Sequence, residues 1–160
     1  DMKDVALKDV VERKRVYFVV STFGLGRPPR KAEAFYANLQ LYRAGGTQEG
    51  GSASDGGVVS SSPLAGVEVA VAALGDSRFN EFAAFGINLA QEIQGLGARP
   101  VLKVTTVDGK KGKADQKEQF REWEDLILKL ETARAANDAQ AGAAGGIQQQ
   151  QSEASCCVIC

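Results

Sequence analysis

Val16-Tyr17-Phe18-Val19-Val20-Ser21-Thr22-Phe23-Gly24-Leu25-Gly26-Arg27-Pro28-Pro29 is the stretch on which the fold turns. Its first five residues are apolar without alternation, the pattern of a strand covered on both faces. A turn with two glycines follows, and the double proline opens a helix. A second stretch repeats this plan. Val67 to Ala73 (VEVAVAA) reads as a buried strand, and Leu74-Gly75-Asp76-Ser77-Arg78-Phe79-Asn80 as the loop at its end. Ligands of open parallel sheets bind at the carboxyl ends of the strands. Each of these loops carries glycine for close backbone approach and a phenylalanine for stacking, so the pair suits a flat ligand held between them.

Helices follow both loops. Lys31 to Tyr42 puts Ala32, Phe35, Leu39 and Tyr42 on one face, and Asn80 to Leu96 does the same with Phe82, Phe85, Leu89, Ile93 and Leu96. Gly95 and Gly97 supply the stop. Val101 to Val104 reads as a short third strand and residues 105–113 (TTVDGKKGK) as a polar loop. Ala114 to Arg134 reads as the last helix, with Phe120, Trp123, Ile127 and Leu130 inward. Residues 5–13 form at best a short helix with Leu7, Val10 and Val11. Residues 43–66 are Gly/Ser-rich and read as a disordered insertion; residues 135–160 read as a disordered tail. Strand, helix, strand, helix, strand, helix implies a three-layer α/β domain over 1–134 with a parallel sheet and right-handed crossovers. Three strands make a thin sheet, and Val16 to Val20 is too apolar for an open edge.

Composition removes whole classes of chemistry. The 160 residues contain no histidine, which excludes Ser-His-Asp and Cys-His catalysis, histidine zinc sites and histidine-ligated haem. The net charge of -1 gives no global basic field for nucleic acid. All three cysteines fall at the end, in Cys156-Cys157-Val158-Ile159-Cys160, so the core holds no disulfide, consistent with a reducing, cytoplasmic setting. That ending reads as a Cys-aliphatic-aliphatic-X prenylation box on Cys157, with Cys156 open to a second lipid. Such a tail would hold the chain on the cytoplasmic face of a membrane; no apolar run spans a bilayer.

The two loops and their helices resemble the FMN domain of the diflavin reductases, the family of NADPH–cytochrome P450 reductase. VYFVVSTFGLGRPPRKAEAFYANL is similar to that domain's third strand, flavin loop and helix, where Thr-Tyr-Gly-Glu-Gly is usual. VAVAALGDSRFNEFAAFGINLAQEIQGLGARPV is similar to the next unit, usually Gly-Leu-Gly-Asn, two variable residues, then Tyr. Gln119-Phe120-Arg121-Glu122-Trp123 resembles the closing Asp-Phe, two variable residues, Trp. The resemblance covers about residues 10–131 apart from the insertion. It implies a flavodoxin-like fold that is N-terminally incomplete here: the first two strands, and the loop that holds the FMN phosphate at a helix N-terminus, have no counterpart in this chain.

The resemblance also assigns residues. Ser21, Thr22, Phe23 and Gly24 would line one side of the flavin ring, and Leu74, Gly75, Asp76, Ser77, Arg78, Phe79 and Asn80 the other. Asp108 would supply an acid from the last strand–helix loop. Phe23 and Phe79 stand where Tyr is usual, keeping the ring face and losing the hydroxyl. Asp76 replaces an amide, which would lower the flavin potential. Leu25 replaces the usual Glu and Arg27 the usual acid, which alters docking polarity. The implied function is an FMN module passing electrons from an NADPH/FAD reductase to a haem or iron–sulfur acceptor, with no catalytic side chain. The alternative is a non-catalytic, truncated flavodoxin-like interaction protein, tethered by its lipidated tail.

Overall fold

The computed structural model describes residues 2–44 and 62–144, without the side chains of 141–144. A 3-10 turn, Met2–Asp4, and helix α1, Leu7–Glu12, precede strand β1, Arg15–Ser21. A second 3-10 turn, Arg30–Ala32, leads into α2, Glu33–Arg43. Strand β2 is Glu68–Gly75, and α3 is Ala84–Gly95. Two short strands follow, β3 at Arg99–Pro100 and β4 at Thr105–Asp108, and α4 runs from Lys113 to Ala144.

All pairings are parallel. β1 lies beside β2 with Arg15 opposite Glu68 and Ser21 opposite Leu74. β3 and β4 both lie on the other side of β2, at Glu68–Val69 and at Ala72–Gly75. The expected third strand is therefore split. Residues 101–104 are the break, and four residues read as polar loop, 105–108, form the longer half. Val107 explains why: it is fully buried while Thr106 is exposed and Asp108 only partly covered. One buried side chain suffices for an edge strand, too little to show as a period.

The two faces of the sheet hold separate cores. Val16, Phe18 and Val20 of β1 join Val69 and Val71 of β2, with Phe35 and Leu39 of α2 and Phe85, Leu89 and Ile93 of α3. On the opposite face, Tyr17 and Val19 join Ala70 and Ala72 beneath Trp123. Alternate residues of β1 thus face opposite layers, so the whole strand is apolar. Trp123 is 3% exposed, with its ring 5.7 Å from that of Phe120. Its indole Nε1 has no hydrogen-bond partner among the described residues. Among these residues β1 pairs only with β2. Even so, Val16 to Val20 are no more than 3% exposed.

Other boundaries differ from the sequence reading. Val11 is 44% exposed, so α1 seats only Leu7 and Val10. Leu64, assigned to the insertion, is fully buried, and its N–H donates to the Leu96 carbonyl at 2.9 Å. Most of the insertion, residues 45–61, lies outside the described residues. Residues 80–83 are a turn, and α3 begins at Ala84. Helix α4 continues past Arg134 to Ala144, so residues 135–144, expected in the tail, are helical.

An ion-pair cluster ties α4 to the amino ends of the strands. Glu68 at the start of β2 meets Arg134 at 2.5 Å, Arg15 at 3.9 Å, and Arg99. Glu131 of α4 accepts from Arg15 at 2.5 Å and from the Tyr17 hydroxyl. Burial, then the adjacent carboxylate, push the Tyr17 hydroxyl well above the ordinary tyrosine range. A cavity of about 280 Å³ lies here, lined by Arg15, Glu68, Arg99, Arg134, Asn137 and Asp138. Asn137 and Asp138 belong to the stretch of α4 that the sequence reading missed.

Candidate functional site

The loops after β1, β2 and β4 meet at the carboxyl end of the sheet. The first closes on itself: Phe23 and Arg27 exchange backbone N–H···O hydrogen bonds of 2.9 Å. That closure needs Gly24 and Gly26, at φ 53° and 75°, where other residues are strained. Closing the loop turns Phe23 and Leu25 outward, 67% and 83% exposed. In the second loop Phe79 is 68% exposed. Both aromatic side chains the sequence singled out therefore lie on the rim and not in the interior.

Direct hydrogen bonds hold the loops together. The Thr22 N–H donates to the Leu74 carbonyl at 3.0 Å. The Phe85 N–H donates to Thr22 Oγ1 at 3.1 Å. Phe85 lies in the first turn of α3, where backbone N–H groups have no partner within the helix. Thr22 thus caps a helix from a different loop. A Cβ on Gly26 would stand 3.4 Å from Ala84 Cβ and 3.3 Å from Glu81 Oε2, so the first loop rests directly on the start of α3. Thr22→Val keeps the shape and removes the acceptor. It should cost about 1–3 kcal/mol, since the Phe85 N–H is left without a partner. An unchanged urea midpoint would show that the loops are held by other means.

The third loop is fixed through Asp108. Its carboxylate accepts from the N–H groups of Ser77 and Lys110, each at 2.9 Å. These bonds, those from Ser77 foremost, hold its pKa below the usual carboxylate value. Its backbone is clamped by Gln119 of α4, which accepts from the Asp108 N–H at 2.9 Å and donates to its carbonyl at 3.1 Å. The Gly109 N–H donates to the Gly75 carbonyl at 2.8 Å. Asp108, expected in the last strand–helix loop, is the final residue of β4. Its role here is to tie two loops. Gln119 was quoted only as part of a sequence motif; nothing in its local pattern marked it as the clamp.

Asp76 does not stand alone as a negative charge. Arg78 donates to it through its backbone N–H at 2.9 Å and through its guanidinium. That pairing holds the Asp76 carboxyl at about 2, so it is ionised at any physiological pH. Ser77, Arg78, Phe79 and Asn80 are all exposed. Ser21 is exposed at the end of β1, and Leu74 and Gly75 are partly covered. Gly75 supports the turn from below. A Cβ there would fall 2.6 Å from the Ala83 nitrogen and 3.0 Å from the Phe82 ring. Ala83 itself has φ 54°, the left-handed region.

Chemically, the rim offers two exposed phenyl faces and backbone groups on tightly tied loops. No group of three or more metal-binding side chains occurs among the described residues. An apolar face at each loop fits a planar heterocycle better than a sugar or a metal ion. Cys156 and Cys157 lie outside the described residues. No helix among the described residues is long and apolar enough to cross a membrane.

Comparison with known proteins converges on one family. The family model described as Flavodoxin matches residues 1–123. Among solved structures, a cysteine-to-serine mutant of flavodoxin from Pseudomonas aeruginosa is similar at 20% identity and TM-score 0.52, covering 74% of this chain and 67% of that one. The corresponding cysteine-to-alanine mutant is 21% identical with the same TM-score and coverage. A short-chain flavodoxin associated with a PDU bacterial microcompartment is 17% identical, with TM-score 0.53, covering 80% of this chain and 74% of that one. At such identities the likeness speaks for the fold. No curated protein matches.

Proposed function

The chain belongs to the flavodoxin family, and on that premise we propose that its rim holds the isoalloxazine ring of FMN for electron transfer. The observation that carries the reading is the pair of exposed phenylalanines, Phe23 and Phe79, on loops tied through Thr22. An exposed phenyl group has no packing reason to be there, and two on adjoining loops suit stacking on a flat ligand. FMN would supply the redox chemistry; the protein supplies position, access and local charge. Phe23 and Phe79 would contact the ring, Gly24 and Gly75 would let the backbone approach it, and Asp108 would keep the loops in register.

The charge at Asp76 acts less than its sequence position suggests. Its pairing with Arg78 makes that corner of the rim close to neutral, so the drop in flavin potential expected from an unpaired acid is largely offset. The finer reading is a module of the P450-reductase type, receiving electrons from an NADPH/FAD reductase and passing them to a haem or iron–sulfur acceptor. The motif order from Thr22 to Trp123 supports it. Lipidation at Cys157 and Cys156 would add a membrane tether to the same role.

Titration with FMN tests the reading. Flavin fluorescence should be quenched on binding, and Phe23→Ala with Phe79→Ala should weaken affinity by about 1–3 kcal/mol per stacked ring. A protein that leaves FMN fluorescence untouched at micromolar concentration would refute it.

A further inference from the structure

We propose that this rim docks an electron-transfer partner through an acidic face on the partner. The inference rests on the flavin reading for its purpose, but its charge argument stands on this chain's own residues. Phe23, Leu25 and Phe79 are exposed apolar side chains on adjoining loops of this rim. The three loop segments, 21–33, 75–81 and 108–115, carry seven Lys and Arg against five Asp and Glu. The whole chain has a net charge of -1, so these segments carry a surplus of positive charge and the remainder of the sequence a surplus of negative charge.

Three of the five rim acids, Asp76, Asp108 and Asp115, are engaged by neighbouring groups, while Glu33 and Glu81 are exposed. Asp76 is held by Arg78. Asp115 accepts from Gln119 at 2.5 Å and lies 4.0 Å from Lys111. Asp108 faces the Ser77 and Lys110 N–H groups. Arg27, Arg30, Lys110 and Lys113 are exposed and enter no ion pair among the described residues. Helices α2, α3 and α4 all begin at this rim; α2 has no cap bond from its own N-cap side chain, and in α3 Thr22 takes only the Phe85 N–H. Their amino ends add fixed partial positive charge of the same sign.

Exposed apolar side chains interspersed with charge are what a protein interface offers. The sign of that charge selects a partner with surplus carboxylates, chiefly through the association rate. A protein partner can also offer cations to Glu33 and Glu81. An anionic bilayer offers one sign only and would be repelled by those acids. A bilayer seated here would also cover the place where electrons leave.

The test uses the FMN-loaded protein, reduced with dithionite and mixed by stopped flow with two ferric probes, an acidic b-type cytochrome and a basic c-type cytochrome. In each reaction one electron leaves the flavin and converts ferric haem to ferrous. The rate with the acidic cytochrome should fall about tenfold as ionic strength rises from about 10 mM to about 500 mM. The rate with the basic one should rise or stay level. Arg27→Glu combined with Lys110→Glu and Lys113→Glu should exchange the two salt slopes without changing FMN affinity. A falling slope with the basic cytochrome, or no slope with either, overturns the proposal. Direct binding of the flavin-free protein to the immobilised acidic cytochrome at low salt gives a second readout. If FMN fails to bind, the function above falls, and this arm alone decides the docking polarity. Tighter binding to phosphatidylserine vesicles than to the acidic cytochrome would overturn it in favour of a membrane.

Discussion

Gly86→Val is expected to destabilise the domain by about 3 kcal/mol, the upper end of overpacking costs. A Cβ at Gly86 would lie 2.4 Å from Ala73 Cβ, 2.8 Å from Ala73 Cα and 3.2 Å from Val20 Cγ2. Carbon atoms pack at about 3.5–4.0 Å, so α3 would have to retreat from the sheet by roughly an ångström. Two of the three contacts are atoms of Ala73, which is fully buried in β2 and has no rotamer to change. The retreat would loosen Phe85, Leu89 and Ile93, all within 1% of complete burial. Gly86→Ala regains about 1 kcal/mol of helix propensity and should fall between the parent and the valine variant. Thermal unfolding followed by circular dichroism would show a midpoint lowered by roughly 10–20 °C for Gly86→Val. A midpoint within a few degrees of the parent would mean that the helix–sheet contact is softer than its geometry implies.

The second large effect falls on the site. Gly75→Ala should weaken FMN binding by at least about tenfold, or about 1.4 kcal/mol, while leaving most of the helical signal in place. The added methyl would meet the Ala83 nitrogen at 2.6 Å, and backbone cannot swing aside as a side chain can. Ala83 already sits in the left-handed region, so the turn has little room to relax. Any shift there moves the segment that carries Phe79 and disturbs the Gly109–Gly75 hydrogen bond to the third loop. The two glycine variants separate cleanly. Gly86→Val should lower stability first, whereas Gly75→Ala should lower flavin affinity at temperatures where the chain is still folded. Parent-like FMN affinity in Gly75→Ala would sink the claim that this turn sets the ring's position.

Much of the architecture was written in local pattern. The apolar runs at 16–20 and 67–73, the second interrupted only by Glu68, marked strands buried on both faces; β1 begins and ends within a residue of the first, and β2 begins one residue into the second and ends two residues beyond it. Phe35 and Leu39, then Phe85, Leu89 and Ile93, marked the buried stripes of α2 and α3. Trp123 was read as core and is core. Such calculations from pattern succeed because each element announces the face it must hide from water. The exposed positions of Phe23 and Phe79 followed from loop chemistry for the same reason, glycines and prolines being local punctuation.

Other features had no local signal. Val107 is one buried residue in a polar stretch, and it becomes a strand only because Ala72 to Gly75 present an open edge beside it. The far end of α4 lacks apolar periodicity. Its alanines favour helix intrinsically, and Arg134, near the end of the regular stripe, is drawn to Glu68 of β2. Asp108 meets Ser77, Thr22 meets Phe85, and Arg78 neutralises Asp76. The two loops and their glycine turns could be located from the chain alone, because turn chemistry is short-range. The order that holds them in place could not, because hydrogen bonds and ion pairs between distant residues exist only once the parallel strands have brought their loops to a common end.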